Sequence, residues 1–237
     1  MASRRRAIIA KRVSVTVLDR ELFSEAEAAR LLRVAQGTLN YWLNGGQRRG
    51  RTYPPIIRTQ PRQERVVTWA EFVEAGLLRG YRRDLKVPML EVRTFVDLLR
   101  ERFEIPYPLA HAQPFFGEGK QLVWDAQEEA GLDADFCLVA EVRGQLVLTP
   151  ASDAFFGRVT WSDEVAVAWR PADHPESPVR IDPETRFGRP SVKGVSTEVL
   201  WEQAESGASL EEIARDFDLD VADVRWAVSY ESAPAAA

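Results

Sequence analysis

Six arginines crowd one stretch of the chain, "QRRGRTYPPIIRTQPRQER" from Gln47 to Arg65: Arg48, Arg49, Arg51, Arg58, Arg62 and Arg65, with Glu64 as the one acid among them. A guanidinium is always charged, and its planar fork of donors fits a phosphate, so this cluster is suited to a polyanion. Just upstream, between Ser24 and Asn44, lie residues of a different kind. If Gln36 onward is helical, Leu39, Trp42 and Leu43 form one apolar stripe. Gly37, Tyr41 and Asn44 then point away from it, and Thr38 and Asn40 flank them. Small, polar and aromatic groups on an exposed helix face suit the edges of bases in a groove. Any amphipathic helical hairpin shares part of this pattern, and a basic loop can simply be solvated.

Chemistry of the bond-breaking kind finds no support. Asp125, Glu128 and Glu129 come nearest to paired carboxylates, and they read as solvated acids on a helix edge. No phosphate-binding glycine loop, serine elbow or zinc-protease helix motif occurs. Cys137 is a lone cysteine, and His111 and His174 are the two histidines, so no Cys/His metal framework is available. The expectation is a protein that is not an enzyme and needs no cofactor and no metal.

The elements that would position the basic residues are legible locally. Ser24 followed by Glu27 has the form of a capping box, and Ala28, Leu31 and Leu32 continue at helical spacing to about Arg33. Asn44, Gly45 and Gly46 stop the second helix. Glycine and proline then punctuate Gln47 to Arg65, which predicts an extended loop or wing. Thr68 caps a further helix, "WAEFVEAGLLRGYRR". A longer one is predicted over Val87 to Glu104, its stripe of Val92, Phe95, Val96, Leu99 and Phe103 being either core or a dimer surface. A reader of two-fold DNA sites needs a dimer, which makes a homodimer the expectation.

Charge separates the two halves of the chain. Residues 1–110 hold 21 Lys and Arg against 12 Asp and Glu, whereas residues 111–237 hold 10 against 24. The net charge of −5 therefore conceals a basic front, which Arg4, Arg5, Arg6, Lys11 and Arg12 extend as a possible arm. Residues 111–181 read as a β-rich region, with "KQLVWDA", "FCLVAE", "QLVLT" and "EVAVAWRP" as short strands of a small antiparallel sheet. After Pro183 three helices are predicted: Thr197 to Ser206, a second capped by Ser209 with Glu212, and a third capped by Asp220. From Thr197 onward Arg215 and Arg225 face ten acids, so this second helical module is a poor partner for DNA and reads as a protein-binding unit. The longest apolar runs are too short to span a bilayer and the start lacks a secretory pattern, which predicts a cytoplasmic protein without membrane contact.

The order helix, turn, helix, arginine-rich wing and "TWAEFVEAGLL" helix resembles the winged MerR-like domain, specifically that of VapB-type antitoxins, over about Leu22 to Phe103. "GRPSVKGVSTEVLWEQAESGASLEEIARDFDLDVADVRWAVSYE" is similar to a small helical antitoxin domain first catalogued without a function; Gly188, Arg189, Pro190, Val192, Gly194 and Val195 carry its start, with "GVSTEV" replacing the usual continuation. The implied fold is α+β, mostly α: a winged helix-turn-helix over 1–110, a β-rich linker or partner-binding region over 111–181, and a three-helix domain over 182–237. The implied function is that of an antitoxin of a type II toxin-antitoxin system, which binds operator DNA, represses its own operon and inhibits a cognate PIN-like ribonuclease toxin. Because such a nuclease gathers carboxylates around a divalent metal, Arg186, Arg189 and Lys193 are the expected inhibitory contacts. Trp201, Trp226 and Tyr230 are either apolar anchors for that partner or core. A MerR-like transcriptional regulator without a toxin, sensing a small molecule through its middle region, is the alternative.

Overall fold

The structure, a computed structural model, describes residues 17–48, 50–83, 86–116, 119–142, 145–149, 152, 156–172 and 174–233. The fold is α+β, with five two-stranded sheets among the described residues. It divides into two compact units, one of residues 1–157 with 161–166, the other of residues 158–160 with 167–236.

In the first unit, Ser24 closes β1 (Glu21–Ser24) and starts α1 (Glu25–Leu31), its Oγ accepting the Glu27 amide at 3.1 Å. A turn leads to α2 (Gln36–Asn44), which buries the predicted Leu39, Trp42 and Leu43. Gly45 ends α2 at φ +71°, where a Cβ would lie 2.2 Å from the Tyr53 carbonyl oxygen, so only glycine is accommodated. The chain then forms a hairpin, β2 (Gly46–Arg48) with β3 (Arg51–Tyr53), Gly46 opposite Tyr53. It returns beneath α2, where the amides of Ile56 and Ile57 both donate to the Trp42 carbonyl, at 2.9 and 3.0 Å.

β4 (Val66–Thr68) pairs antiparallel with β1 and runs into α3 (Trp69–Arg83). Thr68 and Glu71 close the start of α3 reciprocally: the Thr68 hydroxyl accepts the Glu71 amide and the Glu71 carboxylate accepts the Thr68 amide. Phe23 and Phe72 meet at 4.8 Å between ring centroids and Trp69 stacks on Phe72, which holds the β1–β4 pair against α3. One turn along α3, Glu74 is fully buried; it accepts the Leu109 amide at 3.1 Å and faces Arg100 at 3.5 Å. Burial is the main cause that pushes its carboxyl up to about 7.

Of the two readings of its stripe, α4 (Met89–Phe103) takes the core one, burying Val92, Phe95, Val96 and Leu99 within its own unit. One expectation needs correction. "KQLVWDA" is not a strand but the first part of α6 (Lys120–Ala130), which follows the short α5 (Gln113–Phe116). Val123, Ala126 and Gln127 fall at i, i+3 and i+4 on its buried face, and Gly131 at φ +67° ends it. The buried Gln127 side chain donates to the Val139 carbonyl and accepts the Leu138 and Val139 amides. It thereby sets the start of β5 (Val139–Val142), which pairs with β6 (Gln145–Leu148). β7 (Val159–Ser162) and β8 (Val165–Trp169) form a separate pair.

In the second unit, Trp169 and Ile181 exchange backbone bonds at 2.8 Å, as do Arg180 and Ser191 at 2.9 Å. β9 (Ser191–Val192) and β10 (Val195–Ser196) then turn directly into α7 (Thr197–Glu205), followed by α8 (Leu210–Asp216) and α9 (Val221–Ser232). The Ser209 and Glu212 capping box is present. Val179, Val192, Leu200, Ile213, Ala214, Val224 and Ala227 form the core of this unit.

Candidate functional site

The helix pair α1–α2 is held from inside by a continuous polar network. Glu25, almost fully buried, receives the side-chain amides of Asn40 at 3.1 Å and Asn44 at 3.1 Å. Asn44 turns its carbonyl oxygen to Arg58 at 2.8 Å and to the Arg62 amide at 3.1 Å. Arg58 is 2% exposed and faces the Glu71 carboxylate with two donors, at 2.8 and 3.0 Å, while also bonding the Val66 carbonyl. The Tyr107 hydroxyl completes the shell at 3.3 Å from Glu71, and burial is the main cause that pushes the phenol up to about 12. A buried charge is tolerable only when paired and hydrogen-bonded, which these contacts achieve. Four separate segments, α1, α2, the returning loop and α3, are thereby fixed to one another.

This network reassigns three predicted contact residues. Asn40, Asn44 and Arg58 were expected to face a nucleic acid; their side chains are instead engaged inward, because Glu25 and Glu71 would otherwise be stranded in a core. The single-sequence signal for this was weak: Glu25 and Glu71 sit in first helical turns, where acids are common on the surface.

What remains outward on α2 is Gly37, exposed, with Thr38 and Tyr41 partly exposed. Tyr41 meets Tyr53 of the hairpin edge-on at 6.5 Å. Arg51 and Arg65 are exposed; Arg62 is partly engaged, 3.6 Å from Glu71 with its side chain 45% exposed. The side chain of Arg48 and the whole of Arg49 lie outside the described residues, as do Arg4, Arg5, Arg6, Lys11 and Arg12. Beside this face opens a groove of about 1000 Å³, lined among others by Tyr41, Tyr53, Met89, Leu90, Arg33 and Arg93. Arg93 is tied to the Pro54 and Pro55 carbonyls, which fastens α4 to the strand end leaving the hairpin.

The residues proposed for a protein partner fare differently from one another. Arg186 and Arg189 are exposed, the latter loosely placed 3.9 Å from Glu198. Lys193 reaches instead to Asp220 at 2.9 Å and Asp223 at 2.8 Å, joining the β9–β10 turn to the start of α9. Bonds to Asp223 and Asp220 hold its ammonium well above the ordinary lysine range. Asp220 accordingly stands at the N-cap position of α9 with its carboxylate turned to Lys193 rather than capping the helix. Tyr230 packs against the core, Trp226 lies 5.1 Å from the His174 ring, and Trp201 is half-buried. One residue was missed. Phe187 is 79% exposed in a single left-handed turn, Arg186–Gly188, and no periodicity marks it because one turn is too short to show any.

The second unit defines the class to which that part of the chain is related: the family described as "Protein of unknown function (DUF433)" matches residues 179–230. Over 226 residues the chain is 35% identical to "Uncharacterized protein Rv2308" of Mycobacterium tuberculosis, spanning 92% of this chain and 93% of that protein, and it belongs to that protein's family. A more distant relative in the same organism, 27% identical over 226 residues and covering 89% of this chain and 93% of its own, is named "Putative antitoxin VapB45". The fold is that of the crystal structure of Rv2018 from Mycobacterium tuberculosis, with a TM-score of 0.71 at 24% identity, covering 89% of this chain and 99% of that one. Among the described residues no helix is long and apolar enough to cross a membrane.

Proposed function

We propose that this chain is the antitoxin of a type II toxin-antitoxin system: a MerR-like winged helix-turn-helix over its basic front binds operator DNA, and the remainder binds and inhibits a PIN-like ribonuclease. The observation that carries the DNA half is the inward bracing of α1 and α2 by Glu25, Asn40, Asn44, Arg58 and Glu71. A helix so fixed presents Gly37, Thr38 and Tyr41 at a constant angle beside the β2–β3 hairpin, which serves as the wing. Around it Arg51, Arg62 and Arg65 are left to neutralise phosphates. The relative named as an antitoxin supports the toxin half. The groove lined by Tyr41, Tyr53 and Leu90 favours one other reading, a MerR-like regulator that senses a small molecule and has no toxin.

The test is a titration of the purified chain against the DNA preceding its own reading frame, over a range of salt. Replacing Arg51, Arg62 and Arg65 together by Ala is expected to weaken binding on every sequence and to flatten the salt dependence by up to about three phosphate contacts. Tyr41→Ala should cost roughly 1–3 kcal/mol, concentrated on the cognate site. Equal losses on random and cognate DNA would remove α2 as the reading helix. A small nuclease accompanying the chain from its native host would decide against the toxin-free reading.

A further inference from the structure

We infer that Phe187, between Arg186 and Arg189, is the anchor by which the second unit docks into its protein partner, and that the partner offers an apolar socket rimmed by carboxylates. The inference rests on the antitoxin reading, and the occupant is the nuclease of that reading.

Three observations carry it. First, the turn is strained: Arg186, Phe187 and Gly188 all have positive φ, at 51°, 57° and 75°, and two of them carry a Cβ that disfavours this region. Such a conformation persists only where its surroundings impose it, and strain of this kind collects at binding and switch sites. Second, the turn is held rigidly. Asp182 accepts the Glu184 amide at 2.7 Å and the Thr185 hydroxyl at 3.0 Å. The Gly188 amide bonds the Thr185 carbonyl, and the Arg189 amide bonds that of Arg186. Pro183, Gly188 and Pro190 are buried while Phe187 stands 79% exposed. The bulk of the ring is thus presented rather than stowed, and a preordered aromatic loses little freedom on docking.

Third, the charges around it select the partner. From Thr197 onward this unit carries ten acids against Arg215 and Arg225, and Lys193 is occupied by Asp220 and Asp223. Arg186 and Arg189, both exposed, flank the apolar tip along the chain, in a unit whose helices carry far more acids than bases. A surface of apolar centre and carboxylate edge complements it, and a carboxylate-lined nuclease cleft has that edge. In a two-fold contact a second copy of this chain would set Arg186 and Arg189 against their own equivalents, which is unfavourable.

The probe is the ribonuclease encoded beside this chain, purified separately, with affinity measured against the full-length protein and its variants. Phe187→Ala is expected to weaken binding by about thirtyfold or more, the scale of an interface hot spot, while Phe187→Leu stays within a few-fold. Phe187→Gly should bind as poorly as Phe187→Ala yet melt no lower than the wild type, because glycine relieves the positive φ. That combination excludes a loss through misfolding. Binding of Phe187→Ala within threefold of wild type overturns the inference and leaves the antitoxin reading standing. No binding by the wild-type chain overturns the reading, and the inference falls with it. A change in self-association of the isolated chain on Phe187→Ala makes a second copy the occupant, which also overturns it.

Discussion

The two units contain helix pairs that begin with the same device, a serine cap with a glutamate three residues on, yet they treat charge in opposite ways. At Ser24 the following acids are consumed: Glu25 turns into the core, where Asn40 and Asn44 meet it, and Arg58 neutralises Glu71 nearby. At Ser209 the acids stay outside, Glu211 and Glu212 both being exposed, and Asp220 and Asp223 draw in the local lysine. Caps and apolar spacing decide that a helix pair forms; where the carboxylates end up decides what kind of surface it presents. In the first unit the outer face of α2 is left to neutral groups beside exposed arginines, whereas in the second the helices carry many more exposed acids than bases.

The sharpest way to break this contrast is to strand the buried charge. Arg58→Ala leaves Glu71 without its main partner in a site closed to water, and the expected loss is roughly 3–5 kcal/mol in urea unfolding followed by tryptophan fluorescence. A loss below about 1 kcal/mol would mean that the network is open to solvent and does not brace α2. Replacing the pair together, Arg58→Met with Glu71→Leu, should recover much of the stability, since both charges go at once. Cognate DNA discrimination should nonetheless fall, because Asn44 loses the partner that orients it.

A second prediction separates burial from pairing within α3. The Glu74 carboxyl holds its proton more tightly when folded, at about 7, than in the unfolded chain, where 4.5 is the ordinary value. Below about 4.5 both states are protonated and the contribution is whole. Between about 4.5 and 7 the unfolded chain releases the proton while the folded one keeps it, so stability declines as pH rises and levels off above about 7. At about 1.4 kcal/mol per unit, the decline is on the order of 3 kcal/mol. Glu74→Gln should remove that slope while the other carboxylates keep theirs; parallel curves for the two proteins would show that Arg100 holds Glu74 ionised throughout.

These contrasts also mark what a sequence can disclose. The helix bounds of α1, α2, α4, α7, α8 and α9 follow from caps and apolar spacing, which are local, and the structure keeps them within a few residues. "KQLVWDA" was misread because seven residues can satisfy a strand and a helix alike; the deciding residues, Gln127, which completes the i, i+3, i+4 face with Val123 and Ala126, and the terminal Gly131, lie just beyond it. For the candidate site, Gly37, Thr38 and Tyr41 were legible from helical phase. Asn40, Asn44 and Arg58 were not, since their direction is set by acids 15, 19 and 13 residues away that only the fold brings close. Phe187 escaped for the opposite reason: its exposure depends on a left-handed turn that no periodicity encodes.

The smallest expected effect concerns Lys193, which the sequence grouped with Arg186 and Arg189 as an inhibitory cation. Its ammonium sits between Asp220 and Asp223 at 2.9 and 2.8 Å, with the side chain still 56% exposed. The contact to the exposed Asp220 is screened by water and salt and contributes little to stability; that to Asp223 is shielded on the acid's side only. Asp220 stands at the N-cap of α9 and is well exposed, while Asp223, largely buried, stands in the first turn, where the helix dipole favours its negative charge and offsets part of what losing the lysine leaves unpaired. Lys193→Met should therefore lower the melting temperature only slightly and leave inhibition of the partner nuclease within about twofold. Arg186→Gln with Arg189→Gln should weaken it clearly, since both side chains are exposed and flank the exposed ring in sequence. The measurement is a ribonuclease titration with the three proteins side by side. If Lys193→Met weakens inhibition as much as the arginine pair does, the Asp220 and Asp223 clamp opens on binding, and the cationic contact then extends from the Phe187 turn to the start of α9.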